Sequence, residues 1–285
     1  MGKGKGLAAA RGRWCLMRNR HHQRGRRPCG RDEQEMTDPD CSRGESPPSA
    51  EWWDRYFAPE GGWETAGGRK QTRGFARAFV NHVRLDKTRA FELLDFGCGL
   101  GEAIRVLHRA YPKAALTGMD VSQVAIARCR AELAAVASFR VGGLEDVTEH
   151  YDVIYTSNVL EHFVDYRAAA RGLLAHCPRL CIMVPYEQLG DRGAPLTPDP
   201  TREGVGDYHH HTFRRESFGF LVAEGLAERV TVHTPACPGA WGWGRLQRAR
   251  QRCRNWLRRL RGKPPRLEPR QAIYDIVAVG PGTKA

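Results

Sequence analysis

The chain has 285 residues, 41% of them hydrophobic, and a formal net charge of +13. Its length suits one large α/β domain with appendages, and its apolar fraction is enough for a sizeable core. No stretch approaches the ~20 uninterrupted apolar residues of a membrane-spanning helix, no signal segment is visible, and nine cysteines are too sparse for a disulfide scaffold. We therefore expect a cytoplasmic protein with reduced cysteines.

The positive charge lies in two segments. Residues 1–30 hold nine Lys or Arg and no acid, and residues 245–270 hold eleven Lys or Arg and one acid, so the rest of the chain carries −6. Because the body of the chain is acidic and shows no RNA-binding module, nucleic acid is not a favoured partner.

The first ninety residues divide into a tail and a cap. Residues 1–48 change from basic to acidic and carry no hydrophobic period, which predicts a disordered tail. Residues 49–90 predict a helical cap, with one helix over 69–84. The cap begins with an aromatic cluster made of Trp52, Trp53, Tyr56, Phe57 and Trp63.

From residue 91 to the C-terminus, strand and helix patterns alternate, which predicts parallel βαβ units in a doubly wound α/β sheet. The predicted strands cover 91–96, 115–120, 138–141, 151–156 and 180–184, the last stopped by Pro185, with helices over 103–111, 122–133 and 166–176. The remaining elements of this 91–285 domain are a long loop over 185–212, a helix over 215–226, a strand over 229–233, a helical insert over 235–270 and a last strand over 271–279.

The strongest chemical signal is a glycine-rich turn at residues 95–101, DFGCGLG, between the first strand and its helix. Glycines permit a tight turn and let backbone N–H groups approach a ligand closely. Nineteen residues after Gly101, Asp120 ends the second strand, where a carboxylate can accept both hydroxyls of a ribose. The combination predicts a nucleoside-containing cofactor.

Two cofactor classes compete for such a turn. A dinucleotide fingerprint, G-x-G-x-x-G, needs its third glycine at position 102, where this chain has Glu102. The observed G-x-G-x-G after an acid instead resembles motif I of the class I S-adenosylmethionine-dependent methyltransferases. An NAD-dependent oxidoreductase is therefore the least favoured enzyme class.

The resemblance to that superfamily continues over roughly 91–234 and 271–280. It implies a Rossmann-like seven-stranded methyltransferase sheet whose last strand is antiparallel, with the helical insert before it. The further matching segments are LTGMDVS at 116–122, FRVGGLED at 139–146, YDVI at 151–154, SNVLEH at 157–162 and DYHHHTF at 207–213.

The resemblance implies S-adenosyl-L-methionine as the cofactor and a role for each matching residue. Gly97, Gly99 and Gly101, with Cys98 between them, would cradle the methionine and adenosine moieties, and Asp95 would lie near the cofactor's amino group.

The remaining roles concern the ribose, the adenine and the methionine. Asp120, followed by Val121, would hold the ribose, Leu144 and Glu145 would frame the adenine, and Asn158 would line the floor near the methionine. Gly143 departs from the family pattern, because many members have an acid there that accepts from the adenine amino group. Either Glu145 replaces that acid, or backbone groups suffice for the adenine.

Histidines are the candidates for a general base, which an oxygen acceptor would need. His162 follows the fourth strand, where the reaction centre of this fold lies, and His209 and His210 follow the long loop. The alternatives are a locally packed His162 and a surface run of histidines. We expect no metal site, because no companion ligand stands at a suitable spacing.

Two more segments have open interpretations. The aromatic cluster is either a cover over the acceptor pocket or ordinary packing of an N-terminal helix. The Arg-rich 245–261 segment, with eight arginines, predicts an amphipathic helix that covers the pocket, contacts an anionic membrane surface, or contacts nucleic-acid phosphates. We favour the first of these three.

The sequence thus predicts a methyltransferase that acts on an oxygen or nitrogen atom of a small molecule, such as a sugar or secondary metabolite. One alternative is an RNA or protein methyltransferase that uses the basic segments. The other is a non-catalytic partner subunit that binds the cofactor without turnover.

Overall fold

The computed structural model describes residues 49–65, 67–186, 209–235, 256, 260 and 270–280. The predicted tail over 1–48, most of the 185–212 loop and nearly all of the 235–270 insert lie outside these residues. Of the insert, Trp256 and Leu260 are described, and both are helical and exposed.

Seven helices and seven strands make up the described regular structure, together with short 3-10 turns at Leu144–Asp146 and Leu160–His162. The helices are α1 (Ala50–Phe57), α2 (Gly62–Thr65), α3 (Gly68–His82), α4 (Glu102–Ala110), α5 (Gln123–Leu133), α6 (Tyr166–Leu174) and α7 (Phe220–Ala223). The strands are β1 (Glu92–Phe96), β2 (Ala115–Asp120), β3 (Ser138–Val141), β4 (Val153–Ser157), β5 (Arg179–Tyr186), β6 (Ala227–His233) and β7 (Arg270–Ala278).

The strands form one sheet in the order β3-β2-β1-β4-β5-β7-β6. The neighbouring pairs from β3 to β5 are parallel, and β7 is antiparallel to both β5 and β6. The predicted doubly wound α/β sheet with an antiparallel last strand is therefore confirmed. Strand order reverses between β1 and β4, and this switch point is where open α/β sheets bind their ligands.

The core lies on both faces of the sheet. On one face, α3, α4 and α5 pack through Phe79, Leu107 and Ile126, all fully buried. On the other face, α6 and α7 pack through Leu173 and Leu221. Both faces are covered, which explains why the central strands are continuous apolar runs rather than alternating ones.

Local sequence rules account for several helix boundaries. Ser122 caps α5, since its side-chain oxygen accepts from the N–H of Ala125 at 3.0 Å. Asp165 caps α6 by accepting from the N–H groups of Arg167 and Ala168.

Two sequence predictions about the second half are wrong. Pro185 does not stop β5, which runs on to Tyr186. The pairing of β5 with β4 ends at Met183, so Pro185 is paired on one side only, with Gln271 of β7. A residue without an N–H is tolerated at such a position.

The predicted helix over 215–226 is reduced to the four residues of α7. Residues 214–219 form turns, in which the N–H of Ser217 donates to the carbonyl of Arg214 and that of Gly219 to the carbonyl of Glu216. Gly225, with φ of +69°, ends the helical stretch.

Candidate cofactor and active site

The glycine turn between β1 and α4 is held against the end of β2. The N–H groups of Gly97 and Cys98 donate to the carbonyl of Met119 at 2.8 and 3.0 Å, and the N–H of Gly101 donates to the carbonyl of Cys98 at 2.9 Å. Gly97, Gly99 and Gly101 all have positive φ, between +49° and +76°. The chain therefore needs glycine at these positions to make the turn.

The neighbours of the turn also exclude larger residues. An added Cβ at Gly97 would overlap Cγ2 of Val159, and one at Gly101 would lie 2.6 Å from Cδ1 of Leu133. The side chain of Cys98 is buried, and a hydrogen bond with Cys129, followed by burial, raises its pKa well above the usual value.

Asp120 joins the turn to β2 through both carboxylate oxygens. Oδ2 accepts from the N–H of Gly99 at 2.8 Å, and Oδ1 accepts from the N–H of Ser122 at 3.0 Å. Burial raises the pKa of Asp120 to about 6, although the two N–H groups act in the opposite direction. The carboxylate is thereby fixed beside the turn, with lone pairs left to accept from ribose hydroxyls.

Two buried polar atoms near the turn lack a hydrogen-bond partner among the described residues: Oδ2 of Asp95 and Oδ1 of Asn158. Asp95 is the second-last residue of β1, and burial, followed by the charge of Asp120, raises its pKa to about 8. Asn158 follows β4 with φ of +56°, which is unusual for a residue other than glycine. Unpartnered buried acceptors of this kind suit a ligand that brings its own donors.

The predicted adenine residues lie beyond β3. Glu145 is exposed, and its carboxylate folds over Gly143, where an added Cβ would lie 2.9 Å from Oε2. The acid thus stands close to position 143, where the resemblance would place one. Leu144 packs on the opposite side, against Gly172 of α6, and Val121 is half-buried at the end of β2.

Two of the three predicted histidines come together. The rings of His162 and His209 lie 5.1 Å apart between centroids, and Glu161 joins them, since one ligand atom from each of the three residues lies within 4.8 Å of the others. His210 is not part of this group. Its N–H donates to the carbonyl of Glu161 at 2.7 Å, and burial and the nearby His211 lower its pKa.

Glu161 is fully buried, and neither of its carboxylate oxygens has a hydrogen-bond partner among the described residues. Burial raises its pKa to about 8. Nε2 of His209 lies 3.9 Å from Oε1 of Glu161. This carboxylate therefore lies near the carboxyl end of β4 without the hydrogen bonds from described residues that would usually stabilise a buried acid.

Helix α1 covers the turn and reaches the histidines. Phe57 lies against Gly99, where an added Cβ would be 3.2 Å from its ring, and Trp53 makes an edge contact with His162 at 5.2 Å between centroids. Asp54 fastens the helix, because its Oδ1 accepts from Oγ of Ser122 at 2.6 Å and from the N–H of Val124 at 3.0 Å. The cover is thus attached to the same loop that holds Asp120.

Glu102, at the start of α4, connects the helix that follows the glycine turn to α3. Its side chain is fully buried and accepts from the guanidinium groups of Arg69 and Arg73 on α3, while Arg105 lies within 3.7 Å. This cluster fixes α4 to α3 and explains why the chain has an acid at this position.

Sequence reasoning assigned no role to Asp54, Glu102 or Glu161. Glu102 was considered only as a departure from the dinucleotide fingerprint, and Glu161 only as part of a matching segment. For Glu161 a signal was present, because it follows Leu160 shortly after a buried strand, where an acid is rarely buried unless it is paired. For Asp54 the sequence offers none, since its partners are nearly seventy residues away.

Comparisons with known proteins agree with this geometry. Residues 94–181 match the family model described as a methyltransferase domain. A stretch of 85 residues is 26% identical to trans-aconitate 2-methyltransferase of Deinococcus radiodurans, covering 30% of this chain and 33% of that protein. The match thus spans only about a third of the length of that curated relative.

Solved structures share the fold. The plantazolicin methyltransferase BpumL in complex with SAH has a TM-score of 0.50 and 18% identity, over 79% of this chain and 93% of that one. The same enzyme in complex with a triazolic desmethylPZN analog and SAH gives 0.51 and 17%, over 80% and 95%. At this identity the likeness concerns the fold.

The sheet order, the glycine turn and Asp120 are those of a class I S-adenosylmethionine-dependent methyltransferase. Within that class, residues 94–181, from β1 into β5, are similar to a methyltransferase domain. The side chains present fit S-adenosylmethionine, because the unpartnered Oδ2 of Asp95 suits an ammonium donor and the fixed carboxylate of Asp120 suits the hydroxyls of a ribose. None of the described helices is long and apolar enough to cross a membrane.

Proposed function

We propose that this chain transfers the methyl group of S-adenosylmethionine to an oxygen or nitrogen atom of a small-molecule acceptor. The observation that carries the proposal is the joint placement of Asp120 and the glycine turn. Each carboxylate oxygen of Asp120 is fixed by one backbone N–H, at 2.8 and 3.0 Å, at the carboxyl end of β2, next to the strand that borders the switch point of the sheet. A ribose held there lies beside the turn that would receive the rest of the cofactor.

The cofactor supplies the electrophilic methyl group, so the protein's tasks are binding, alignment and exclusion of water. Asp95 would accept from the cofactor's amino group, and Asn158 would contribute its unpartnered amide oxygen near the methionine moiety. Val121, Leu144 and Glu145 would surround the adenosine.

The acceptor side would lie toward the histidines. Ligand atoms of His162, His209 and Glu161 lie within 4.8 Å of one another. The ring of Trp53, on α1, makes an edge contact with the ring of His162. In this proposal α1 is part of a cap that keeps water from the transferring methyl group. His162, His209 and His210 are the base candidates, and a half-buried His210 with a lowered pKa is neutral and able to accept a proton near pH 7.

We propose a small acceptor rather than a macromolecule, because aromatic rings of α1 lie against the turn and against His162. The rings of Trp53, Phe57 and His162 stand over the carboxyl end of the sheet, close to the turn. We also place the protein in the cytoplasm, which the cysteines support: the four described ones, Cys98, Cys129, Cys177 and Cys181, are buried free thiols.

The first experiment is calorimetric titration with S-adenosylhomocysteine, beside NAD, on the full chain and on Asp120→Ala. Each charge-assisted hydrogen bond to the ribose contributes roughly 1.5–3 kcal/mol, so losing even one of the two that Asp120 would accept weakens binding about 10- to 150-fold. Asp86→Ala is the matched control, because Asp86 also accepts two hydrogen bonds, from the N–H and Oγ1 of Thr88, but in the loop that precedes β1.

Binding of S-adenosylhomocysteine that falls in Asp120→Ala and persists in Asp86→Ala supports the cofactor assignment. A preference for NAD, or equal binding by both variants, contradicts it. Methyl transfer from labelled cofactor is then followed in small-molecule, RNA and protein fractions of a cell extract. Label confined to RNA or protein would replace the small-molecule proposal with the macromolecular alternative.

A further inference from the structure

The group formed by Glu161, His162 and His209 has the composition of a metal site. It offers one carboxylate oxygen and two imidazole nitrogens, all within 4.8 Å of one another. Two histidines and one carboxylate form a face of three ligands that leaves further coordination positions open, as in catalytic zinc and non-haem iron sites.

An independent observation points to a ligand at the same place. The carboxylate of Glu161 is fully buried, yet both its oxygens lack a hydrogen-bond partner among the described residues. No Lys or Arg of the described part of the chain lies within ion-pair distance of it, and Nε2 of His209 lies 3.9 Å from its Oε1. A buried carboxylate in this state costs free energy unless a cation or a donor satisfies it.

We infer that Glu161, His162 and His209 bind a divalent first-row transition metal ion whose open positions receive a hydroxyl group of the methyl acceptor. Imidazole nitrogen together with carboxylate oxygen suits Zn²⁺, Fe²⁺, Co²⁺ or Mn²⁺. Ca²⁺ and Mg²⁺ are less suited, because they prefer sites made of oxygen atoms.

The geometry needs only a small contraction to hold such an ion. Ligand bonds of about 2.0–2.2 Å in a tetrahedral arrangement separate the ligand atoms by about 3.4 Å. The present separations, up to 4.8 Å, close to that value through side-chain torsions of the two histidines. The N–H of His210 donates to the carbonyl of Glu161 at 2.7 Å, which fixes the segment of His209 to the turn that carries the other two ligands.

The role of the ion rests on the proposed methyl transfer and specifies its acceptor as a hydroxyl. The ion lowers the pKa of the hydroxyl it binds, and the proton passes to a base such as His210 or to solvent. The oxygen then forms a bond to the methyl carbon while the carbon–sulfur bond breaks. Its electron pair stays on sulfur, which becomes the neutral thioether of S-adenosylhomocysteine.

The test begins with metal binding, measured without reference to activity. Full-length protein treated with a chelator is titrated with Co²⁺, whose visible absorption bands report nitrogen and oxygen coordination, and then with Zn²⁺ in competition. The same titrations are made on Glu161→Gln and, separately, His209→Ala. We expect either change to weaken the site by more than about 100-fold, since loss of outer-shell partners alone costs 10- to 100-fold.

His108→Ala is the matched control, because His108 lies on α4, outside the group. Other histidines and cysteines add the same background cobalt binding to Glu161→Gln and to His209→Ala, so the loss relative to the original chain measures this site. Circular dichroism and S-adenosylhomocysteine binding show that each variant is folded. Equal cobalt binding by the original chain, Glu161→Gln and His209→Ala would overturn the inference.

The second arm measures methyl transfer to a hydroxyl acceptor after removal and return of the metal. We expect transfer to fall at least about 100-fold without metal and to recover with Zn²⁺ or Mn²⁺, while S-adenosylhomocysteine affinity is unchanged. Full activity of the metal-free protein contradicts the inference and leaves the methyltransferase proposal intact. Absence of cofactor binding, by contrast, contradicts the proposed function while the cobalt titration still decides the metal site.

Discussion

Gly97 offers the sharpest test of how the turn is built. Replacing it with alanine imposes two costs, since φ is +76° and the new Cβ would overlap Cγ2 of Val159. The left-handed conformation costs an L-residue about 1–2 kcal/mol, and overpacking adds about 1–3 kcal/mol. We therefore expect Gly97→Ala to lower the free energy of unfolding by about 2–5 kcal/mol.

Gly225 separates the two costs, because its φ is +69° but nothing lies within 4 Å of an added Cβ. Gly225→Ala should lose only the backbone cost of about 1–2 kcal/mol. Urea denaturation followed by circular dichroism measures both variants, and calorimetry with S-adenosylhomocysteine shows whether cofactor affinity falls with Gly97→Ala alone. Pairing Gly97→Ala with Val159→Ala should recover part of the loss relative to Val159→Ala by itself.

Two outcomes would refute this reasoning. Equal destabilisation in Gly97→Ala and Gly225→Ala would show that Val159 does not confine the turn. Unchanged affinity for S-adenosylhomocysteine in a folded Gly97→Ala protein would show that the turn does not contact the cofactor closely.

Further predictions concern two buried carboxylates. Glu102→Ala should lower the free energy of unfolding by about 3 kcal/mol, because it leaves guanidinium groups without their buried anion, although Arg73, 43% exposed, is partly rehydrated. Glu132→Ala, which removes a 42% exposed partner, should cost less than about 1 kcal/mol in the same denaturation assay, and equal losses would contradict this account. Burial, and then the charge of Asp120, raises the pKa of Asp95 to about 8, so the folded chain holds a proton that the unfolded chain releases. This proton stabilises the folded state fully below about pH 4, and the stabilisation is lost as the pH rises to 8. Ligand-free protein should therefore lose about 2–4 kcal/mol between pH 5 and 8 that Asp95→Asn does not lose, and parallel pH profiles would show that this carboxyl is ordinary.

The parts of the site that the sequence predicted depend on short-range rules. The turn, its flanking strand and helix, and Asp120 lie within thirty residues, and their spacing alone brings them to one edge of the sheet. Ser122 is likewise recognisable as a helix cap, and the strand–helix alternation predicted the sheet correctly through β5.

The parts that the sequence did not predict depend on contacts between distant segments. His209 meets Glu161 across nearly fifty residues, through a loop without regular pattern. Asp54 meets Ser122 only because α1 folds back over α5. The expected helix over 215–226 was wrong because its apolar spacing is interrupted by local turns and by Gly225, which outweigh periodicity.

The Glu102 cluster has a consequence for changing the cofactor of this fold. Position 102 is where a dinucleotide-binding turn would carry its third glycine. Here the same position supplies the only buried anion that two guanidinium groups of α3 share within the described residues. A redesign toward NAD would have to replace Glu102, Arg69 and Arg73 together. The cofactor preference of the turn and the attachment of α3 therefore cannot be changed independently.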